Sequence, residues 1–538
     1  MQGLMMQQPL LVSALLEHAE PHHGEREIVS RRVEGDLHRY SYRDLARRSR
    51  QLAAALQALG VGQGECVGTL AWNGHRHLEL YYAVSGSGAV LHTLNPRLHT
   101  DQLAYILQHA DDRVLCFDLS FLAIVEALAP VLGGRRLVAM CDRASMPPSV
   151  LELLCFEELV DAQPDGFEWP RLDEHAASSL CYTSGTTGHP KGVLYSHRST
   201  VLHSLAAALP DALNLSARDA LLPVVPMFHV NAWGLPYAAC MVGAKLVLPG
   251  PALDGKSLYT LIESEGVTLS AGVPTVWQGL LSHARDIGAG FSAMRRTVIG
   301  GAACPAAMLE AFEATHGVQV LHAWGMTELS PVGAVCSFKP RQYSLPTLEQ
   351  RALQLKQGRS PFGIDMKIVD ADGRELPWNA KAAGELMVRG HWVANGYFRA
   401  EGSSPIVDGW FPTGDIATID ADGFMQITDR SKDVIKSGGE WISSIEIESI
   451  ASLHPGVASA VCIAARHPKW DERPLLLVVR KSGAELGEGE LLDFIASRVA
   501  RWWTPDAVRF VESVPLGATG KVLKAQLREQ YRDALMQG

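Results

Sequence analysis

The residues best suited to chemistry in this sequence lie in the run YTSGTTGHPKGV, Tyr182 to Val193, between two apolar segments. Glycines at 185, 188 and 192 let successive backbone amides converge on an anion. The hydroxyls of Thr183, Ser184, Thr186 and Thr187 add donors, and Lys191 adds positive charge. The run reads as a cradle for polyphosphate. Its spacing is not the G-x-x-x-x-G-K-[ST] of a Walker loop, because Lys191 follows Gly188 by three positions and precedes Gly192. Nucleotide binding is expected; the usual NTPase reading is not.

Further constellations follow in order. MFHVNAWG, Met227 to Gly234, sets His229 and Trp233 where an apolar run gives out. AWGMTE ends at Glu328, and GWFPTGD ends at Asp415. DRSKDVIKSGGEW spans Asp429 to Trp441, and PLGATGK ends at Lys521. Taken singly each has an ordinary explanation. Glu328, Lys436 and Lys521 could be solvated charges, Asp415 a turn residue after Thr-Gly, and His229, Trp233 and Trp441 packed side chains.

The elements that must position these residues are legible as patterns. Tyr42 to Leu59 has helical periodicity and ends at Gly60, a C-cap signal. Cys66 to Ala71 and Val114 to Phe117 read as buried strands, and alternation of this kind predicts layered α/β architecture with largely parallel sheets. LLPVVPMFHV, AKLVLPG and RTVIGGAACP each stop at Gly, Pro or a polar residue, which places the motifs at strand ends, where open α/β sheets bind ligands. Ser85 to Gly88 is a partial dinucleotide fingerprint and reads better as a turn or close helix packing. From Gly358 to Phe411 the text becomes β-rich. After the connector Ser431-Lys432-Asp433 comes a segment of about a hundred residues with its own strands, Ala458 to Ala465 and Pro474 to Val479, and a helical pattern, ELLDFIASRVA. A domain boundary is placed at that connector, giving domains 1–430 and 434–538 with 431–433 between them.

At 538 residues, more than one domain is expected. Hydrophobic residues make up 47% and charged residues 20%, the balance of a soluble globular protein. A net charge of -10 gives no reason to bind nucleic acid or an anionic membrane. The nine cysteines are scattered without a C-x-x-C pair, which points to reduced thiols and a cytoplasmic location. No signal peptide or bilayer-spanning run is evident. His22 and His23, between Pro21 and Gly24, read as a solvated turn in preference to a metal site.

The ordered set resembles the adenylate-forming superfamily of acyl-CoA synthetases, luciferases and peptide-synthetase adenylation domains, over nearly the whole chain. FHVNAW, NPRLHTDQLAYIL and KSGGEWIS look closest to bacterial fatty-acyl-CoA synthetases and methylthiopropionate-CoA ligases. The resemblance implies an α/β fold with a large N-terminal multi-subdomain adenylate-forming domain and a small mobile α+β C-terminal domain. It implies ATP, Mg²⁺ and CoA as ligands, a carboxylic acid as substrate, and a homodimer. Thr183 to Gly188 (Thr183, Ser184, Gly185, Thr186, Thr187, Gly188) with Lys191 would hold the β and γ phosphates. Gly301, Ala302, His322, Ala323, Trp324, Gly325 and Thr327 would line the AMP site, with Thr327 on the α-phosphate. Trp324 stands where the family usually has tyrosine, so it keeps a stacking face for adenine and loses the phenol. Glu328 would help bind Mg²⁺, with the Ser184 hydroxyl as a second contact.

By the same resemblance Asp415 accepts hydrogen bonds from the ribose hydroxyls and Arg430 contacts ribose or phosphate. Lys521 clamps carboxylate and α-phosphate, supplying positive charge where two anions meet. Lys432 is the hinge, about which the small domain rotates between adenylation and thioester formation. Gly438 and Gly439 line the pantetheine tunnel, while Lys436 and Trp441 contact adenylate or CoA. His229 lies beside the acid's carboxylate, with Val230 at the acyl site. Trp233 either gates the acyl tunnel or packs in the core. Amino-acid-activating relatives usually carry an aspartate near Phe228-His229-Val230 to pair the substrate ammonium; none is present, which favours a simple carboxylic acid, and the reading is an aliphatic one. The expected activity is an ATP-dependent acyl-CoA ligase working through acyl-AMP. Alternatives are transfer to a carrier protein, a kinase or NTPase releasing ADP, and a nucleotide-binding protein without chemistry.

Overall fold

The computed structural model describes residues 1, 3–183, 189–400, 404–437, 440–516 and 522–536, without the side chains of Glu440 and Trp441. It divides into two units, Met1–Asp365 with Arg389–Ile406, and Met366–Val388 with Val407–Gly538.

Unit 1 is built on two large sheets. One has seven strands in the order Leu153–Cys155, Arg136–Ala139, Val114–Phe117, Cys66–Leu70, Val90–Thr93, Ala177–Tyr182 and Gly192–Ser196, parallel except for the last pair. The other has eight, in the order Val332–Val335, Gln319–Gly325, Arg296–Ile299, Leu269–Gly272, Ala220–Pro223, Lys245–Leu248, Glu27–Arg31 and Leu37–Ser41. It is parallel through its middle and antiparallel at both edges. Parallel strands of continuous apolar residues need cover on both faces. Val67 and Leu91 of the first sheet and Leu221 and Leu246 of the second therefore share one core with helical Leu80 and Tyr81. The helix carrying those two, His75–Gly86, is buried along its whole length. Its charges are paired, Glu79 with Arg48 at 2.8 Å and Arg76 with Glu157 at 2.7 Å.

Local signals were obeyed closely in places. The helix Tyr42–Ala58 opens on a capping box between Ser41 and Asp44, and the chain leaves it through Gly60 at φ +88°. Gly86 ends the buried helix against Trp169, where an added Cβ would lie 2.7 Å from Cζ3, so the Ser85–Gly88 stretch is close packing. Two expectations need correction. His22 and His23 are the last residues of the helix Val12–His23, held in a cluster with His18 and not in a turn. The apolar run ending at Val230 is strand only over Ala220–Pro223. Past it the Asn73 amide donates to Pro223 O and Val225 O, both at 2.8 Å, and its carbonyl accepts from Met227 N at 2.6 Å. That side chain diverts the backbone from the ladder.

Unit 2 contains an antiparallel sheet, Ile364–Val369, Ala383–Gly390, Phe411–Ile419 and Met425–Arg430, the first strand entering from unit 1. A second sheet orders Glu440–Ile442, Ile435–Ser437, Asp471–Arg480 and Val457–His467, with Ala507–Phe510 parallel to Asp471–Arg480. Helices Ser444–Ala451 and Glu488–Ala496 pack on it through Ile447, Leu491 and Ile495. Residue 430 falls inside this unit. Asp429, 1% exposed, accepts from Ser444 N at 2.6 Å and Ser444 Oγ at 3.1 Å, which ties the first sheet to the segment after the connector.

The nine cysteines are buried and free of disulfides. Among the described residues no helix is long and apolar enough to cross a membrane.

Candidate active site

In unit 1 the chemistry-bearing residues meet at the carboxyl ends of the parallel strands. Ala177–Tyr182 leads into the Thr/Gly-rich loop and Gly192–Ser196 leads out, with Thr183 N donating to Lys191 O at 2.9 Å to close the stem. Ser184 to Gly188 lie outside the described residues. On the stem, His189 stacks on Tyr105 with centroids 4.3 Å apart. The Lys191 ammonium lies 4.9 Å from the centroid of the Tyr397 ring. The same tyrosine donates its hydroxyl to Glu328 Oε1 at 2.8 Å, and Tyr195 donates to Thr327 O at 2.6 Å. Lys191, Thr327 and Glu328, distant in sequence, are thus assembled around two phenols.

Glu328 is 6% exposed. A largely buried carboxylate with one oxygen held by a phenol is a hard oxygen donor suited to Mg²⁺, which takes few protein ligands and keeps several waters. No group of three or more His, Cys, Asp or Glu able to hold a metal occurs among the described residues.

Trp324 and Gly325 end the strand Gln319–Gly325. The indole packs against Gly333, where a Cβ would come 2.5 Å from its Cε3. His322, paired in register with Ile299, accepts from Cys304 N at 3.3 Å, and burial pulls its pKa down to about 4, so it is neutral here. Gly301 and Ala302 are exposed beyond that strand pair, Gly301 at φ +77°. Ala323 is half-buried.

The motif Met227 to Gly234 has an unusual backbone. Val230, Asn231, Ala232 and Trp233 have φ of 41°, 52°, 48° and 59°, and Gly234 continues at 71°. Consecutive left-handed residues are costly for L-amino acids, and for β-branched valine above all. Side chains hold the turn in place. Asn231 Nδ2 donates to Ser179 Oγ at 2.9 Å. Its Oδ1 accepts from Cys181 Sγ at 3.4 Å and from Tyr81 Oη at 3.5 Å, and Tyr81 also donates to Met227 O at 2.5 Å. His229 precedes the turn, half-buried, its N–H on Pro226 O at 3.0 Å. Trp233 lies across Gly300, where a Cβ would meet Cη2 at 3.1 Å. Val230 packs with Cys181, Val193 and Tyr195, and Trp233, Ala394 and Tyr397 lean on that cluster.

In unit 2 the strand pairing sets Asp415 opposite Arg430. The carboxylate is 2% exposed, and the Arg430 Nε lies 2.8 Å from its Oδ1. Thr413 Oγ1 accepts from Asp415 N at 3.1 Å. Lys432 and Lys436 are exposed, the latter's N–H bound to Glu472 at 2.9 Å. Gly438, Gly439 and Lys521 lie outside the described residues, as does the Trp441 side chain. Closer to the C-terminus, Lys524 is half-buried and paired with Glu448 at 2.7 Å. Its neighbours Glu448 and Asp429 keep it charged against burial.

The model of the AMP-binding enzyme family matches residues 15–398, and that of the AMP-binding enzyme C-terminal domain matches 446–521. The chain belongs to the AMP-binding enzyme family. A 3-methylmercaptopropionyl-CoA ligase of Ruegeria lacuscaerulensis is 53% identical over 99% of this chain and 100% of its own length. A medium-chain-fatty-acid–CoA ligase of Ectopseudomonas oleovorans is 52% identical over 100% and 98%. Among solved structures, the anthranilate CoA ligase AuaEII in complex with anthranoyl-AMP has 25% identity and a TM-score of 0.85, covering 98% of this chain and 99% of that one. The resemblance read from the motifs is borne out, as is the large-plus-small adenylate-forming fold. This AMP-binding enzyme is an acyl-CoA synthetase, an acid–thiol ligase of the AMP-forming kind.

Sequence reading passed over Asn231, Tyr195 and Tyr397. Asn231 stood inside a quoted motif but between two more conspicuous residues. Tyr397 follows Asn395-Gly396, a dipeptide that reads as a turn and hides the tyrosine after it.

Proposed function

We propose that this enzyme activates an unbranched aliphatic acid of short to medium chain, or its thioether analogue, as acyl-AMP and passes the acyl group to CoA. The reading is carried by end-to-end identity above one half with ligases named for methylmercaptopropionate and for medium-chain acids. It is supported by an acid-side turn that offers His229 and an indole and no carboxylate for a substrate ammonium. CoA ligases among the relatives favour CoA over a carrier protein as acceptor.

In this reading Thr183 to Gly188 and Lys191 hold the departing pyrophosphate, and Glu328 binds Mg²⁺ with Ser184. Bound there, the metal would neutralise phosphate charge. Trp324 stacks on adenine, Gly301, Ala302, His322, Ala323 and Gly325 line its pocket, and Thr327 contacts the α-phosphate. Asp415 accepts from ribose hydroxyls, held for that task by Arg430. His229 and Val230 flank the acid carboxylate and Trp233 bounds the chain. Lys521 supplies the charge that lets one anion attack another. The connector 431–433 is the proposed hinge with Lys432 at its centre, and Gly438, Gly439, Lys436 and Trp441 serve the CoA half-reaction. A cytoplasmic homodimer completes the proposed reading.

The test is a series of acids from propionate to palmitate, with 3-methylmercaptopropionate, each supplied with ATP, Mg²⁺ and CoA. AMP, pyrophosphate and a CoA thioester are expected. ADP in place of AMP would show a kinase or NTPase, and acid-dependent AMP release without a CoA thioester would defeat the acceptor assignment.

A further inference from the structure

We infer that Tyr397 is a positioning residue that keeps the phosphate-loop lysine and the Glu328 carboxylate apart and correctly presented, so that one stays available to phosphate and the other to a divalent cation. The inference rests on the roles proposed above for Lys191 and Glu328.

Tyr397 sits in the short stretch of unit 1 between 389 and 406. That stretch is fastened at both ends of the site. Phe398 N donates to Gly192 O at 2.8 Å, beside Lys191, and Ala394 N donates to Glu328 O at 2.7 Å. Five residues therefore bridge two motifs that lie far apart in the chain, and the ring between those bonds has little freedom to move. Its hydroxyl donates to Glu328 Oε1 at 2.8 Å, and its face receives the Lys191 ammonium at 4.9 Å from the centroid.

A 6% exposed carboxylate near a lysine would ordinarily pair with it, since an opposite charge is the cheapest compensation for lost solvation. Among the described residues Lys191 and Glu328 form no ion pair; each is met instead by a different part of the same tyrosine. A cation over an aromatic face is held weakly enough to be surrendered to a phosphate. A hydrogen bond to one carboxylate oxygen fixes the plane of the group and leaves Oε2 for another ligand. Outer partners of this sort typically account for about tenfold to a hundredfold in metal affinity.

The test compares Tyr397→Phe, Tyr397→Leu and Glu328→Gln in the full chain, reading Mn²⁺ binding in the presence of ATP by electron paramagnetic resonance and metal-free ATP binding by calorimetry. Thermal melts check folding. Tyr397→Phe keeps the aromatic face and loses the hydroxyl. It should weaken Mn²⁺ binding about tenfold while leaving metal-free ATP affinity within about twofold. Tyr397→Leu loses both contacts and lets the two charges collapse together, so ATP affinity should also fall, by about twofold to fivefold. A Tyr397→Phe protein that binds Mn²⁺ like the parent, while Glu328→Gln does not, would overturn the inference. Normal Mn²⁺ binding by Glu328→Gln would overturn the metal role of Glu328 and the inference with it. A purely structural role would lower both affinities alike in Tyr397→Phe, and that result would also refute it.

Discussion

Replacing Asn231 by Ala should raise the KM for the acid, and the size of the effect can be worked from the turn. The parent residue has φ 52° and ψ 44°, a conformation asparagine tolerates and alanine adopts at about 1–2 kcal/mol. The substitution also removes the donor to Ser179 Oγ and the acceptor for Cys181 and Tyr81. At a site 4% exposed, leaving Ser179 Oγ without its donor costs about 1–3 kcal/mol, while Tyr81 keeps Met227 O and Cys181 keeps Thr93. The two losses sum to roughly 2–5 kcal/mol against the left-handed form. If the acid is bound only by that form, about 2 kcal/mol corresponds to roughly a thirtyfold rise in KM. Asn231→Gly separates the contributions, because glycine pays nothing for positive φ and loses only the hydrogen bonds. Its KM should lie between those of parent and Asn231→Ala. The assay is AMP release at saturating ATP and CoA over a range of the best acid from the substrate series. An Asn231→Gly protein as impaired as Asn231→Ala would refute the strain argument. An unchanged KM in a folded Asn231→Ala protein would refute the link between the turn and the acid.

Lys521→Ala should nearly abolish acyl-AMP formation yet convert supplied acyl-AMP to acyl-CoA; equal loss of both half-reactions, measured separately, would contradict the clamp role. Lys432→Pro stiffens the connector and should slow thioester formation more than adenylation, read by single-turnover assays of each step. Gly333→Ala places a methyl against the Trp324 ring and should raise the KM for ATP several-fold more than that for the acid. Burial draws the His203 imidazole down to about 3, and its Nε2 accepts from Val332 N at 3.2 Å. The folded state therefore holds it neutral while the unfolded chain protonates near 6.5, so its stability contribution is full above that pH and is lost as pH falls toward 3. His203→Gln should show a smaller drop in Tm than the parent between about pH 7 and about pH 5.

The parts of this enzyme readable in the sequence were those with a local cause. A capping box and a glycine set the ends of Tyr42–Ala58, and runs of apolar residues gave the parallel strands whose ends carry the motifs. Asp415 and Arg430 were each conspicuous in the sequence, but their pairing came only from the register of one hairpin. What stayed hidden was imposed from a distance. Nothing in Val230-Asn231-Ala232-Trp233 signals left-handed backbone, since valine and alanine oppose it; the conformation exists because Ser179, Cys181 and Tyr81 converge on one amide. Tyr397 is likewise ordinary in sequence and decisive only once two backbone bonds dock its segment between the phosphate-loop stem and Glu328. Both cases have one physical form. A strained turn and a separated charge pair are each held by buried hydrogen bonds from elsewhere in the fold, and such states persist at functional sites because their surroundings over-determine them. The same logic explains why the phosphate loop's stem could be fastened by His189 on Tyr105 and Lys191 on Tyr397. Aromatic faces anchor a loop without consuming the hydrogen-bond donors that a polyphosphate needs.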